Sequence, residues 1–165
     1  MKKILPNCSA WSRRAPMGLL SLLPVSCLLA QDSQPVSLRP LEKLRIARGE
    51  RAEVRLVVEI KPGYHINSHA PMEAHLIPLR LSWETRPFRI LEVQYPKPSL
   101  EKYEFAEKPL SVFSGPVTIV TRLEAPPEAP RGPGILLGTL RYQACTDKLC
   151  LPPRTLQVRL PYEIR

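Results

Sequence analysis

No phosphate-cradling glycine loop, nucleophile elbow or dinucleotide fingerprint occurs in the 165 residues. Motif-borne nucleotide chemistry and serine-type hydrolysis are therefore excluded, and no cofactor is implied. Acid pairs such as Glu101 and Glu104 lack any supporting motif for hydrolysis. There is no run of five or more like charges and no aromatic-plus-basic platform, so nothing points to a nucleic-acid partner. No apolar run reaches the roughly 20 residues that a spanning helix needs, so the chain reads as not membrane-spanning. No stretch sustains a 3.6-residue apolar period, which argues against long helices. There is no internal repeat. Histidine is scarce, with three residues, and cysteine nearly so, with four.

The first thirty residues are laid out as a secretory signal peptide. Lys2, Lys3, Arg13 and Arg14 form a positive region without acids, and the apolar run Met17–Ala30 follows, interrupted by Pro24. Cleavage is expected after Ala30, leaving residues 31–165 as one mature domain in the periplasm or outside the cell. Two finer readings of the leader are twin-arginine export through Ser12-Arg13-Arg14 and lipid anchoring at Cys27; an ordinary leader is preferred. Removing the leader's four positive charges from the chain's +9 leaves +5, dispersed among acids. That balance fits a mildly basic surface.

Proline is abundant, with 20 residues spaced between apolar segments, and it opposes helix because it lacks an N–H. The apolar segments alternate with period two, the mark of half-buried strands. Val54, Leu56, Val58 and Ile60 share one face. Similar sets are Leu79, Leu81 and Trp83; Leu91, Val93 and Tyr95; Val117, Ile119, Thr121 and Leu123; Leu136, Leu140 and Tyr142; and Leu156, Val158, Leu160 and Tyr162. A weaker strand is expected around Leu44 and Ile46, and a short helical turn within Asn67 to Leu76. Turn residues separate the segments, as at Pro62-Gly63 and Gly115-Pro116. About seven strands in roughly 120 residues predict an all-β fold, an immunoglobulin-like antiparallel β-sandwich.

The strongest local signal is Tyr142-Gln143-Ala144-Cys145-Thr146-Asp147-Lys148-Leu149-Cys150-Leu151-Pro152-Pro153. Once the leader is gone, Cys145 and Cys150 are the only cysteines, and an even, close pair in an oxidising compartment implies a disulfide. Such a disulfide is either a staple at a strand end or a redox pair that cycles with its dithiol. Lys148 favours a thiolate and Asp147 opposes it. Spacing alone leaves both readings open. It also admits a soft-metal site using Cys145, Cys150 and one of the histidines. Zinc usually needs four ligands, and His65, His69 and His75 lie far off in sequence, so each is expected to be a satisfied loop histidine and no metal ligand is assigned.

The cysteine segment resembles the active-site segment of the N-terminal periplasmic domain of DsbD, the thiol:disulfide interchange protein. Three other stretches are similar to that family: Pro62-Gly63-Tyr64-His65-Ile66-Asn67-Ser68, Tyr95-Pro96-Lys97-Pro98, and Tyr103-Glu104-Phe105 followed by Val112-Phe113-Ser114-Gly115. The resemblance runs from about Arg39 to Ile164. It implies an immunoglobulin-like sandwich with two redox cysteines as the catalytic pair. Cys150 would be the cysteine joined in mixed disulfides and Cys145 its resolving partner. Phe105 would cap the pair, and Tyr64 and Tyr142 would line the site. The partners implied are thioredoxin-fold periplasmic proteins and a separate membrane electron donor, since the chain carries no membrane conduit of its own. Tyr103 and Ala106 depart from the acidic and aromatic residues that can flank the family's cap phenylalanine, and some relatives place one more residue between the cysteines.

Three functions are thus set against one another. The first is an exported thiol–disulfide exchange protein, an oxidoreductase component. The second is a non-catalytic immunoglobulin-like binding module with a structural disulfide. The third is a soft-metal-handling protein.

Overall fold

The computed structural model describes residues 34–165. The expected signal peptide, its twin-arginine pair and Cys27 lie outside the described residues. Twelve strands follow in order: β1 Val36–Leu38, β2 Leu44–Ile46, β3 Arg51–Ile60, β4 His65–Asn67, β5 Arg80–Trp83, β6 Arg89–Gln94, β7 Ser99–Glu101, β8 Leu110–Phe113, β9 Pro116–Glu124, β10 Gly132–Tyr142, β11 Ala144–Cys145 and β12 Arg154–Ile164. The described residues contain no helix. The span from Asn67 to Leu76, where a helical turn was expected, holds bends and one hydrogen-bonded turn, closed by Leu76 N–H to Glu73 O at 3.1 Å. Pro71 lies within it and limits any longer helical run.

Three four-stranded sheets form, in the orders β1-β3-β9-β6, β2-β12-β10-β5 and β11-β4-β8-β7. All pairings are antiparallel except β12 with β2, which is parallel. The first two sheets stack. Leu56, Val58 and Ile119 from the first meet Leu81, Leu140, Tyr142 and Val158 from the second in one buried cluster. Val54 and Leu123 meet Leu136, Leu160 and Phe88 in another. The period-two pattern explains why: β3 buries Val54, Leu56, Val58 and Ile60 and turns Arg51, Glu53 and Arg55 outward. Hydrogen bonds between the sheets add direction to this apolar contact: Trp83 Nε1 donates to Thr121 Oγ1 at 2.9 Å, and Leu81 N–H donates to the Tyr95 hydroxyl at 2.8 Å. The architecture is an immunoglobulin-like β-sandwich.

One strand departs in part from its expected facing. Val93 and Tyr95 pack on the core as the alternation implies, but Leu91 is exposed and Ile90 turns toward the core in its place. The pairing of β6 with β9 shifts register between Ile90 and Glu92. A bulge adds one residue on one side of the ladder and so exchanges the faces beyond it.

The third, smaller sheet grows from the ends of the long strands. β3 turns into β4 through Lys61-Pro62-Gly63-Tyr64, where Gly63 has φ 80° and Tyr64 N–H reaches Lys61 O at 3.1 Å. Proline second and a positive-φ glycine third is the pattern of a type II turn. β10 runs through Gln143 into β11, and β8 runs through Ser114 and Gly115 into β9. Beneath this sheet Leu76, Tyr103, Leu110 and Val112 form a third cluster.

Candidate functional site

The cysteines lie on a tight hairpin at the edge of the small sheet. β11 pairs with β4, placing Ala144 opposite Ile66 and Cys145 opposite His65. The chain reverses over Thr146–Leu149 and bridges back so that Cys150 faces Cys145. The two are joined by a disulfide, with Cα atoms 3.9 Å apart. The reversal is held by its own polar groups. Thr146 N–H donates to Leu149 O at 2.8 Å, and the Thr146 hydroxyl oxygen accepts from the Lys148 and Leu149 N–H groups, each at 3.3 Å. Threonine offers this local alternative to a ladder because its hydroxyl sits close to the following amides. Leu151 N–H then donates to Ala144 O at 2.8 Å, closing the hairpin before Pro152 and Pro153.

The two sulfur-bearing residues differ in access. Cys145 is 0 % exposed, although β11 is an edge strand. Cys150 is partly exposed, beside Asp147, Lys148 and the 54 % exposed Leu149.

Gln143 fastens the hairpin to the rest of the sheet. Its Oε1 accepts from Asn67 Nδ2 at 3.2 Å and from Ile77 N–H at 3.3 Å, while its Nε2 donates to Leu151 O at 3.2 Å. Asn67 in turn donates to Ile77 O at 3.1 Å. One side chain therefore ties the entry of the cysteine segment to its exit and to β4. Sequence pattern did not single out Gln143. The available signal was a lone amide between two apolar residues, Tyr142 and Ala144, both of which are buried. A polar side chain there must find partners.

An aromatic stack covers His65. Its ring lies 3.9 Å, centroid to centroid, from that of Tyr103, at 15° between planes. Phe105 extends the stack, 5.7 Å from Tyr103 and 6.5 Å from His65. Phe105 is 41 % exposed, at the outer end. The loop carrying these rings is braced by Lys102, whose Nζ donates to the carbonyls of Ala106 and Glu107, both at 2.5 Å. Tyr103 donates its hydroxyl to Glu101 Oε2 at 2.6 Å. Burial and that carboxylate together push the Tyr103 phenol far above its usual range, so it stays protonated.

His65 corrects the expectation of a satisfied loop histidine. It lies in strand β4, is 3 % exposed, and its Nε2 has no hydrogen-bond partner. Burial lowers its pKa below the ordinary value, against weaker opposing pulls from Glu101 and Asp147. The imidazole is accordingly neutral at pH 7. His69 is exposed and stacks on Tyr95 at 4.7 Å, and His75 is exposed in the loop after it. No group of three potential metal-binding side chains occurs among the described residues.

The two tyrosines named from the sequence take different places. Tyr64 is partly buried, adjoins His65 at the turn and packs on the first core cluster. Tyr142 is 1 % exposed and belongs to that cluster, with its hydroxyl unpartnered and its pKa raised by burial.

The family model of the thiol:disulfide interchange protein DsbD, N-terminal, matches residues 34–161. Among solved structures, the N-terminal periplasmic domain of ScsB from Proteus mirabilis matches at 15 % identity with a TM-score of 0.56, over 81 % of this chain and 49 % of that one. This chain thus spans about half the length of that relative. A type I cohesin–dockerin complex from Clostridium thermocellum matches at 12 % identity and a TM-score of 0.44, over 79 % of this chain and 99 % of that one. No curated protein matches. The ScsB likeness carries the fold, the family model covers most of the sequence, and the hairpin holds the disulfide: the chain belongs to the family of the N-terminal domain of the thiol:disulfide interchange protein DsbD.

Proposed function

We propose that the chain is an exported thiol–disulfide exchange protein of the periplasm, passing reducing equivalents through the Cys145–Cys150 couple to or from thioredoxin-fold partners. A separate membrane protein supplies or receives the electrons on the other side. The observation that carries this reading is the unequal access of the two cysteines. Exchange requires a thiolate to approach one sulfur along the S–S axis, so the reachable sulfur is the one attacked. Cys150 is partly exposed and Cys145 is fully buried. In the reducing half-reaction the partner thiolate bonds to Cys150, the Cys145–Cys150 bond breaks, and Cys145 leaves with the electron pair. Phe105 is the cap of this site, limiting adventitious thiols, while Tyr64 and Tyr142 support it from the core side.

Membership of a periplasmic family supports the location. No helix among the described residues is long and apolar enough to cross a membrane. A purely structural staple has less in its favour. The hairpin is already closed by Thr146–Leu149 and Leu151–Ala144 hydrogen bonds, and linking so short a loop gains only about 2 kcal/mol in loop-closure entropy.

Single-cysteine variants test the roles. Cys145→Ser should trap a mixed disulfide through Cys150 with a thioredoxin-fold partner, and Cys150→Ser should trap none. Equal trapping by both variants would overturn the assignment of Cys150 as the attacked sulfur.

A further inference from the structure

Cys145 poses a problem that exposure does not solve. To close the disulfide again, its thiol must lose a proton inside the protein, because only the thiolate attacks. Solvent does not reach it. Asp147 on the hairpin and Glu101 at the end of β7 are both near enough to act on the charge of His65, and both oppose a nearby thiolate. Lys148 is exposed to solvent.

His65 lies directly opposite Cys145 in the antiparallel ladder. Residues so paired carry their side chains on the same face, with Cβ atoms roughly 4.5–5.5 Å apart. The imidazole is held by the Tyr103 ring on one face and has a buried Nε2 with no hydrogen-bond partner. A buried polar atom without a partner is costly, and its retention calls for an explanation.

We propose that His65 is the proton acceptor for Cys145, so that this domain resolves its mixed disulfides with a cysteine–histidine pair on neighbouring strands. This rests on the exchange reading above. In the step, the Cys145 S–H proton passes to His65 and the Cys145 thiolate attacks Cys150 Sγ. The Cys145–Cys150 bond forms and the Cys150–partner S–S bond breaks. The partner sulfur leaves with the electron pair, and the imidazolium returns its proton to the leaving thiolate or to water. Run in reverse, the same imidazolium reprotonates Cys145 when it is displaced. A base that is neutral near pH 7 is in the form needed to accept the proton. The lowered pKa of His65 keeps it in that form.

The test uses the reduced mature protein and excess 5,5′-dithiobis(2-nitrobenzoate). Attack of the Cys150 thiolate on the reagent's S–S bond leaves a Cys150–thionitrobenzoate mixed disulfide and releases one thionitrobenzoate. Intramolecular attack by Cys145 releases a second in a phase independent of reagent concentration. For the wild type, this second rate should be flat between about pH 7 and 8 and fall only at the lowered pKa of His65, beneath the ordinary histidine value of about 6.5. In His65→Phe, which keeps a ring for Tyr103 to stack on, and in His65→Gln, it should drop tenfold or more at pH 7. The variant rates should then climb about tenfold per pH unit toward the ordinary thiol range near 8.5. A wild-type rate that itself climbs tenfold per unit from pH 6 to 8 overturns the proposal, whatever the variants do. So does an unchanged rate and pH profile in either folded variant. A wild type that never releases the second thionitrobenzoate refutes the exchange reading itself and this proposal with it.

Discussion

Replacing Gln143 by alanine removes three hydrogen bonds at once without touching either cysteine. Its partners are Asn67 Nδ2, Ile77 N–H and Leu151 O, at 3.2, 3.3 and 3.2 Å. Each such bond contributes about 0.5–1.5 kcal/mol net, so the loss should be about 2–3 kcal/mol. The bonds are long and part-buried, and water can reach some of the freed groups, which keeps the sum toward the lower end. Urea unfolding of the oxidised protein, followed by the fluorescence of Trp83, measures the change. With m of about 1–3 kcal/mol per molar for a small domain, the midpoint should fall by roughly 1–2 M. Gln157→Ala, at an exposed position of β12, is the matched control and should shift stability by no more than about 0.5 kcal/mol. The clamp also ties the hairpin's exit to β4, so the reduced Gln143→Ala protein should alkylate faster at Cys145. A loss below about 0.5 kcal/mol, equal to the control, would refute the view that Gln143 fastens the site.

Other outcomes follow from the packing and the charges. Leu56→Ala, at 1 % exposure between the two large sheets, should cost about 2–5 kcal/mol in the same unfolding assay. Gly138→Ala should be destabilising by roughly 1–3 kcal/mol, because a Cβ there meets Trp83 Cε3 at 2.7 Å and the Ser82 carbonyl at 2.9 Å. Stability should also fall on mild acidification. His65 has a folded pKa below its unfolded value near 6.5, so the unfolded chain takes up the proton first. The stabilisation from neutral His65 is whole above that value and is lost as pH falls from it toward the folded pKa. Thermal unfolding at pH 7.5 and 5.5 should show this loss in the wild type and a smaller one in His65→Phe.

The long strands were legible because half-buried strands write their burial into the sequence. β3, β9, β10 and β12 each alternate over most of their length, and every one of them appears where the alternation lies. β6 was legible as a strand, with Val93 and Tyr95 facing the core, but not at its Leu91 end. A bulge is set by pairing with β9, and nothing in Arg89–Gln94 announces it. The small sheet was harder to see. β8 is buried at all four positions and β4 at all three, so neither alternates, and two-residue β11 is too short to show any period. That sheet nevertheless carries the candidate site. The cysteine pair was visible as a pair, and the resemblance added Phe105 at the end of the stack. Tyr103, Gln143 and the position of His65 opposite Cys145 depend on which strands become neighbours. Those contacts join residues tens of positions apart, beyond the reach of local spacing.

The central claim is that the Cys145–Cys150 disulfide cycles. Equilibrating the mature protein with glutathione and dithiothreitol buffers and quantifying free thiols gives its reduction potential. The account expects a value among those of exchange proteins, roughly −120 to −270 mV. A potential below about −300 mV would mark a structural staple and contradict it.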